Sequence, residues 1–429
     1  RYSEGAAATR GMLRKMASET DRLALAVTQS RAVAEIRLGR DAIGETGALF
    51  SRHFAGKSAC IIADQNTWAA AGAGVERALN MQSIQSRAYV LPAAPKPKPS
   101  VELADELARG LAEDGSIPIA VGSGVINDVV KHAAFSLDRP YLCVATAVSM
   151  DGYTSAGAPL SVRGWGYSDL AGKVAAGADW LLADALGIEA VDAECWSMVQ
   201  DELRHWLGNP ASVRRGDADA LSGLFAGLAM VGFAMERHGS SRPASGSDHQ
   251  IAHLWEMEGL SHKGDYVSHG ACVAIGTLSV IALYDFLLAS DIGGLDVPAI
   301  IASAPNLEQK FNNIRESLGA GELAERAIEE TRAKHVDAKA HEERLVHLMR
   351  MWPGLSQRLR QQLPQLDLLR GWLAEAGAPA DAASIGVSCP HLHRSILNAR
   401  FLRSRYTVLD TLEEAGLLGE AARYAASTV

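Results

Sequence analysis

Between Ala55 and Thr146, short apolar runs alternate with stretches in which apolar residues recur every three or four positions. Four runs have strand length: Ala59 to Ala63, Arg87 to Leu91, Ile117 to Val121 and Tyr141 to Ala145. The segments between them, Thr67 to Leu79, Ser100 to Leu111 and Val125 to Leu137, are long enough for crossover helices. Pro92, Pro95, Pro97 and Pro99 make a stiff loop before Ser100, which is placed to cap the helix that follows. After Ser168 the strand signal stops, and helical spacing runs through Ala178 to Ile188, Ala218 to Glu236, Val267 to Leu288 and Leu307 to Lys334. Arg1 to Ser30 reads as a helical or frayed extension. The pattern predicts an α/β N-terminal domain, a parallel sheet with flanking helices, over residues 1–160 with that extension, and an all-α domain over 161–429.

Length supports the division, because 429 residues exceed what one hydrophobic core comfortably serves. With 48% hydrophobic and 21% charged residues the chain has the composition of a globular protein rather than a disordered one. A formal net charge of -9 argues against general nucleic-acid binding, which needs a basic face to release counterions. Cys60, Cys143, Cys195, Cys272 and Cys389 are widely spaced, with no C-x-x-C pair, and read as reduced core thiols. The odd count and the lack of a secretory leader place the protein in the cytoplasm as an expectation. The longest apolar runs, such as Ile275 to Leu288, carry polar breaks and are read as too short to span a bilayer.

Ile117 to Gly124 runs a buried strand straight into Gly122-Ser123-Gly124, and a helix follows. Glycines there let a backbone approach a pyrophosphate, and the helix start offers unpaired N–H groups and a positive dipole end. The third glycine of the common dinucleotide fingerprint is replaced by Asn127, and an ordinary strand-to-helix turn has the same spacing. Asp64, ending the first strand, suits ribose hydroxyls and so NAD over NADP, but equally suits a turn start before Thr67. Thr146 and Ser149 follow the fourth strand, at the sheet end where ligands of open α/β folds collect.

Five of the thirteen histidines, His238, His249, His253, His262 and His269, fall between residues 238 and 269. His249 and His253 are four apart on a predicted helix and share a face. Such a group suits a catalytic divalent metal, which takes three protein ligands, commonly one a carboxylate. Asp169 is the candidate carboxylate, and spacing does not separate it from Asp179, Asp184, Asp248 or Glu256.

Gly122 to Asp128, the run Thr146-Ala147-Val148-Ser149-Met150-Asp151-Gly152-Tyr153-Thr154-Ser155, His249-x-x-x-His253 and Ser268-His269-Gly270 together resemble the sn-glycerol-1-phosphate dehydrogenases. The likeness is to their bacterial AraM-type branch, within the glycerol-dehydrogenase and dehydroquinate-synthase superfamily, and extends to Arg405-Tyr406-Thr407-Val408-Leu409-Asp410. It implies that Gly124, Val125, Ile126, Asn127, Asp128, Thr146, Ser149 and Ser155 hold NAD or NADP. It implies that Asp169, His249 and His269 ligate zinc or nickel, and that Asp151, Asp169 and His253 meet substrate, with Asp169 and His253 catalytic. The implied reaction is the reversible reduction of dihydroxyacetone phosphate to sn-glycerol 1-phosphate, and the chain's size and the apolar helices of its second half suit a homo-oligomer, expected to be a dimer. Lys173, one turn after Asp169, is a candidate contact for the substrate phosphate and equally suits an ordinary solvated helix lysine. A glycerol dehydrogenase, a cyclising lyase of the dehydroquinate-synthase kind and a non-catalytic binder share much of this plan. The resemblance also implies a few dozen more residues between Leu160 and Trp165, where this chain runs directly through Ser161-Val162-Arg163-Gly164.

Overall fold

The computed structural model describes residues 19–39, 41–94, 97, 99–147, 154, 166–319 and 321–429. Ser149, Asp151, Ser155 and the junction at 161–164 lie outside the described residues. Strands β1 (Ala59–Asp64), β2 (Ser86–Leu91), β3 (Ile117–Gly122) and β4 (Leu142–Ala145) form one parallel sheet in the order β2-β1-β3-β4. All four lie within one residue of the predicted runs. Ala59 pairs with Ser86 on one side and Ile117 on the other, and Ile119 with Leu142.

Alternation along the strands supplies two cores. Ala59, Ile61, Ala63, Ile117, Ile119 and Val121 meet Phe50, Val75 and Leu79 on one face. Cys60, Ile62 and Ala120 meet Leu107, Leu111, Ile126 and Val129 on the other. Ser100 caps its helix as expected, accepting from Leu103 N–H. The helix after β1 departs from expectation: it begins at Gln65–Thr67, widens to a π turn over Trp68–Gly72 and resumes at Ala73–Met81. Trp68 lies so close over Gly72 that a Cβ there would come within 2.6 Å of its ring.

The helical half is built on α2 (Gly166–Ala185), α3 (Ala218–His238), α4 (Ser247–Met257) and α5 (His269–Ala289), preceded in the sheet half by α1 (Gly124–Ser136). The chain enters it where Thr154 Oγ1 donates to the Ala229 carbonyl of α3 at 2.8 Å. Residues Leu23 and Ala26 of the helix Glu19–Gln29 pack into this helical core, not against the sheet. Both α3 and α5 are long and apolar enough to span a membrane, contrary to the sequence reading of their length. The apolar faces of α5 are used inside the chain, where Cys272, Ile275, Leu278 and Leu283 are fully buried. Two short strands also interrupt the helical half, β5 (Ser261–His262) and β6 (Asp265–Tyr266). Lys263 and Gly264, at φ 53° and 87°, make the positive-φ pair that a tight hairpin requires. The predicted helix over 307–334 is two helices, Leu307–Leu318 and Glu322–Lys334, the first ending at Gly319 with φ 78°.

Asp179 ties this half together from the middle of α2. Its carboxylate accepts from Ser247 N–H at 2.7 Å, Ser247 Oγ at 2.8 Å, Tyr284 O–H at 2.7 Å and Val408 N–H at 2.9 Å. The starts of α4 and of the helix Val408–Glu414 are thereby fixed to α2 and α5. Within the Arg405 to Asp410 stretch, Thr407 and Asp410 close a capping box.

Candidate metal centre and nucleotide cradle

β1 and β3 are central, β2 lies outside β1 and β4 outside β3, so the strand order reverses between β1 and β3. Ligands of open α/β sheets bind outside the carboxyl ends of strands at such a reversal. Asp64 and Gly122 end those two strands. A Cβ on Gly122 would meet Ile126 Cβ at 2.5 Å, so only glycine lets α1 start this close to β3. Ser123 gives α1 no side-chain cap, and the first backbone bond runs from Asn127 N–H to Ser123 O at 3.1 Å. Gly124, Val125 and Ile126 N–H groups therefore head an open helix start of the kind that suits a phosphate. Thr146 N–H donates to Gly122 O at 3.0 Å, which sets Thr146 beside the turn.

The side chains assigned to the cofactor are placed differently from their backbones. Val125 and Ile126 are buried. Asn127 and Asp128 are buried too, and Asn127 Oδ1 accepts from Tyr141 O–H at 3.1 Å. Of these four residues, Val125 and Ile126 present open main-chain N–H groups at the helix start, whereas Asn127 N–H is already bonded to Ser123 O. Asp64 Oδ1 accepts from Asn66 N–H at 2.8 Å and Thr67 N–H at 2.9 Å, the turn-start reading of the sequence.

In the helical half the structure brings Asp169, His249 and His269 together, with one ligand atom from each lying within 4.8 Å of the others. They come from the first turn of α2, the first turn of α4 and the first residue of α5. Asp169 and His249 are buried, and His249 Nε2 stands 3.4 Å from Asp169 Oδ1. The imidazole ring centroids of His249 and His269 are 5.4 Å apart. His253 joins the group, its ring stacked on His269 at 5.5 Å. His238 instead stands edge-on to Trp180, and His262 lies against Gly386.

Carboxylates hold the far side of each ring. Asp248 Oδ2 pairs with His249 Nδ1 at 2.7 Å, Glu256 Oε1 with His269 Nδ1 at 2.6 Å and Glu256 Oε2 with His253 Nδ1 at 2.7 Å. With Nδ1 so engaged, Nε2 is the nitrogen that His249 and His269 offer to a cation, the arrangement that orients histidine ligands in metal sites. Two imidazoles and a carboxylate fit a divalent transition metal and leave positions for a substrate oxygen. Burial alone would lift the Asp169 carboxyl, but Lys173 and the neighbouring imidazoles hold it well below the usual range. Burial likewise opposes charging of His249, yet Asp248 and Asp169 push it up to about 9, so a cation arriving near neutral pH displaces a proton. Glu256 is held below its usual range, its burial outweighed by the two imidazoles.

Spacing left five acids open as the metal carboxylate, and the geometry narrows them to Asp169, grouped with His249 and His269, and Glu256, grouped with His253 and His269. Asp169 faces the histidines, Asp248 and Glu256 orient the rings, Asp179 serves the helix junctions, and Asp184 accepts from Val191 N–H. The sequence carried a signal for the orienting pair: Asp248 directly precedes His249, and Glu256 lies one turn beyond His253. Lys173 is neither solvated nor exposed. Its ammonium is fully buried, 2.6 Å from Asp169 Oδ1.

Comparison with known proteins agrees with this architecture. The family described as iron-containing alcohol dehydrogenase matches residues 37–168. The glycerol-1-phosphate dehydrogenase [NAD(P)+] of Bacillus velezensis is 26% identical over 392 residues, covering 83% of this chain and 86% of that protein. The enzyme of the same name from Geobacillus stearothermophilus is 26% identical over 419 residues, covering 89% and 93%. Among solved structures, glycerol dehydrogenase from Schizosaccharomyces pombe aligns with a TM-score of 0.52 at 16% identity, covering 91% of this chain and 89% of that one. Maleylacetate reductase from Agrobacterium tumefaciens gives 0.52 at 14% identity, covering 91% and 97%. The family resemblance in the sequence is borne out, and the chain is an oxidoreductase with the iron-containing alcohol dehydrogenase fold.

Proposed function

We propose that this oxidoreductase reduces dihydroxyacetone phosphate reversibly to sn-glycerol 1-phosphate with NADH or NADPH at a zinc or nickel centre held by Asp169, His249 and His269. The carrying observation is the convergence of those three side chains, each imidazole pinned through Nδ1 by a carboxylate. The substrate is inferred from relatives named glycerol-1-phosphate dehydrogenase.

The metal, when bound, supplies Lewis acidity toward the substrate carbonyl oxygen or the product alcohol. The residues of the chain do the rest. The main-chain N–H groups of Gly124 to Ile126 would hold the cofactor pyrophosphate, with Ser123 and Thr146 at the same turn and Asp64 at the neighbouring strand end, and Ser149 and Ser155 are proposed as further contacts from the family resemblance alone. Asp248 and Glu256 fix the ring planes, so the donor set needs little reorganisation when a ligand arrives. His253, partly exposed and tied to Glu256, is the imidazole left to hold substrate or to pass a proton. Asp151 is proposed as a further substrate contact. Free thiols at all five cysteines support a reducing, cytoplasmic setting.

The test strips the protein with chelator and restores zinc or nickel while NADH oxidation is followed with dihydroxyacetone phosphate. The product is passed to an enantiomer-specific glycerol-phosphate oxidase. Activity should vanish and return with the ion, and the product should be the 1-phosphate. Full activity in the stripped protein, or preference for unphosphorylated dihydroxyacetone, overturns the proposal.

A further inference from the structure

Lys173 is a buried lysine beside a proposed metal ligand, a costly place for a cation. Charged lysines are almost never fully buried without a partner, and this one has 0% side-chain exposure. Its backbone is fixed: Lys173 O accepts from Gln200 Nε2 at 2.9 Å, and Gln200 Oε1 accepts from Gln362 Nε2 at 2.8 Å. Helical spacing puts the ammonium one turn above Asp169, 2.6 Å from Oδ1. The neighbouring residue, Gly172, lets α2 lie directly on Asp248, which holds His249. Lysine, acid and imidazole are thus packed as one unit.

Two consequences follow from charge and geometry. A carboxylate whose Oδ1 is held by an ammonium is hindered from chelating a cation through both oxygens. The lysine also offsets the only negative ligand of the proposed donor set, so an ion there would be balanced through Asp248 and Glu256 behind the imidazoles rather than by a directly bound anion. We propose that Lys173 is a positioning residue that keeps Asp169 monodentate and the centre strongly electrophilic, at the expense of metal affinity. This rests on the metal-dependent reading above and deepens it.

The experiment compares wild type, Lys173→Met and Lys173→Gln as whole chains. Zinc affinity is read by competition with a chromophoric chelator, and the ligand field by the visible spectrum after cobalt(II) loading. Methionine keeps the stem and removes both charge and donor. It should bind zinc at least about tenfold tighter, weaken the cobalt bands as coordination number rises, and lower kcat more than it changes KM. Glutamine keeps an N–H donor for Oδ1 without the charge, and should tighten zinc binding while keeping a cobalt spectrum close to wild type. A Lys173→Met protein that melts like wild type but binds zinc no more tightly, or leaves the cobalt spectrum unchanged, overturns the role of Lys173 alone. Loss of folding in both variants also overturns it, by making the lysine a structural group. A wild-type protein that takes up no zinc at all removes the metal reading itself.

Discussion

Gly172→Ala adds one methyl group to α2 and tests whether the ring-orienting carboxylate governs metal binding. The new Cβ would stand 2.5 Å from Asp248 Oδ2, 3.0 Å from Val273 Cγ1 and 3.4 Å from His249 Cε1. Ordinary contact begins near 3.4 Å, so the carboxylate must retreat by about 0.9 Å. Its backbone cannot follow, because α5 lies against it: a Cβ on Gly276 would come within 2.4 Å of Asp248 O. A shift of that size directed away from His249 Nδ1, now 2.7 Å away, would stretch the bond beyond hydrogen-bond range. Loss of such an orienting partner weakens metal binding by roughly 10–100-fold, or about 1.4–2.7 kcal/mol. Overpacking should cost about 1–3 kcal/mol of stability, partly offset by about 0.5–1 kcal/mol because alanine is the better helix residue. Zinc competition titration and thermal melting of the stripped protein measure the two effects separately. A Gly172→Ala protein that holds zinc within about twofold of wild type would refute the argument that Asp248 fixes His249 for the ion.

Glu256→Gln removes the charge and one of the two acceptor oxygens that serve His253 and His269, and should weaken zinc binding by about tenfold or more, read in the same titration; undiminished affinity would contradict the buttress role. Asp179→Ala strands Ser247 N–H, Val408 N–H and Tyr284 O–H in the interior and should lower the unfolding free energy by about 3–5 kcal/mol in urea titration, whereas a loss under about 1 kcal/mol would show that the junction relaxes. Gly122→Ala forces α1 away from β3 and should weaken NADH binding by about tenfold or more in fluorescence titration while zinc affinity stays as in wild type; a parallel fall in both would mean that the turn acts on the whole fold.

Much of this architecture was legible in the chain because the signals are local. The four strands carry runs of apolar residues, and the glycine turn follows β3 without interruption. The histidine cluster showed as density along the sequence, and three of its members converge. What stayed hidden depends on partners far along the chain. Lys173 reads as an ordinary helix lysine until α2 is seen buried on nearly all sides, and the capping bonds from Asn66 and Thr67 to Asp64 Oδ1 show only in three dimensions. That Val125 and Ile126 turn their side chains into the core was not readable from the glycine turn, because it depends on how the helix start packs on its sheet. The break after Leu318 was missed because apolar spacing continued across two glycines. The hairpin at 261–266 is only two residues per strand, too short for any periodicity to register.

Every donor side chain of the Asp169, His249 and His269 group stands on a helix, at or near its beginning. Those helices are bolted to one another through interior contacts that no surface change reaches. Under the proposed function, exposed connecting stretches are free to change with the substrate while the donor group stays as it was. A scaffold divided in this way is suited to acquiring new substrates without having to rediscover its chemistry.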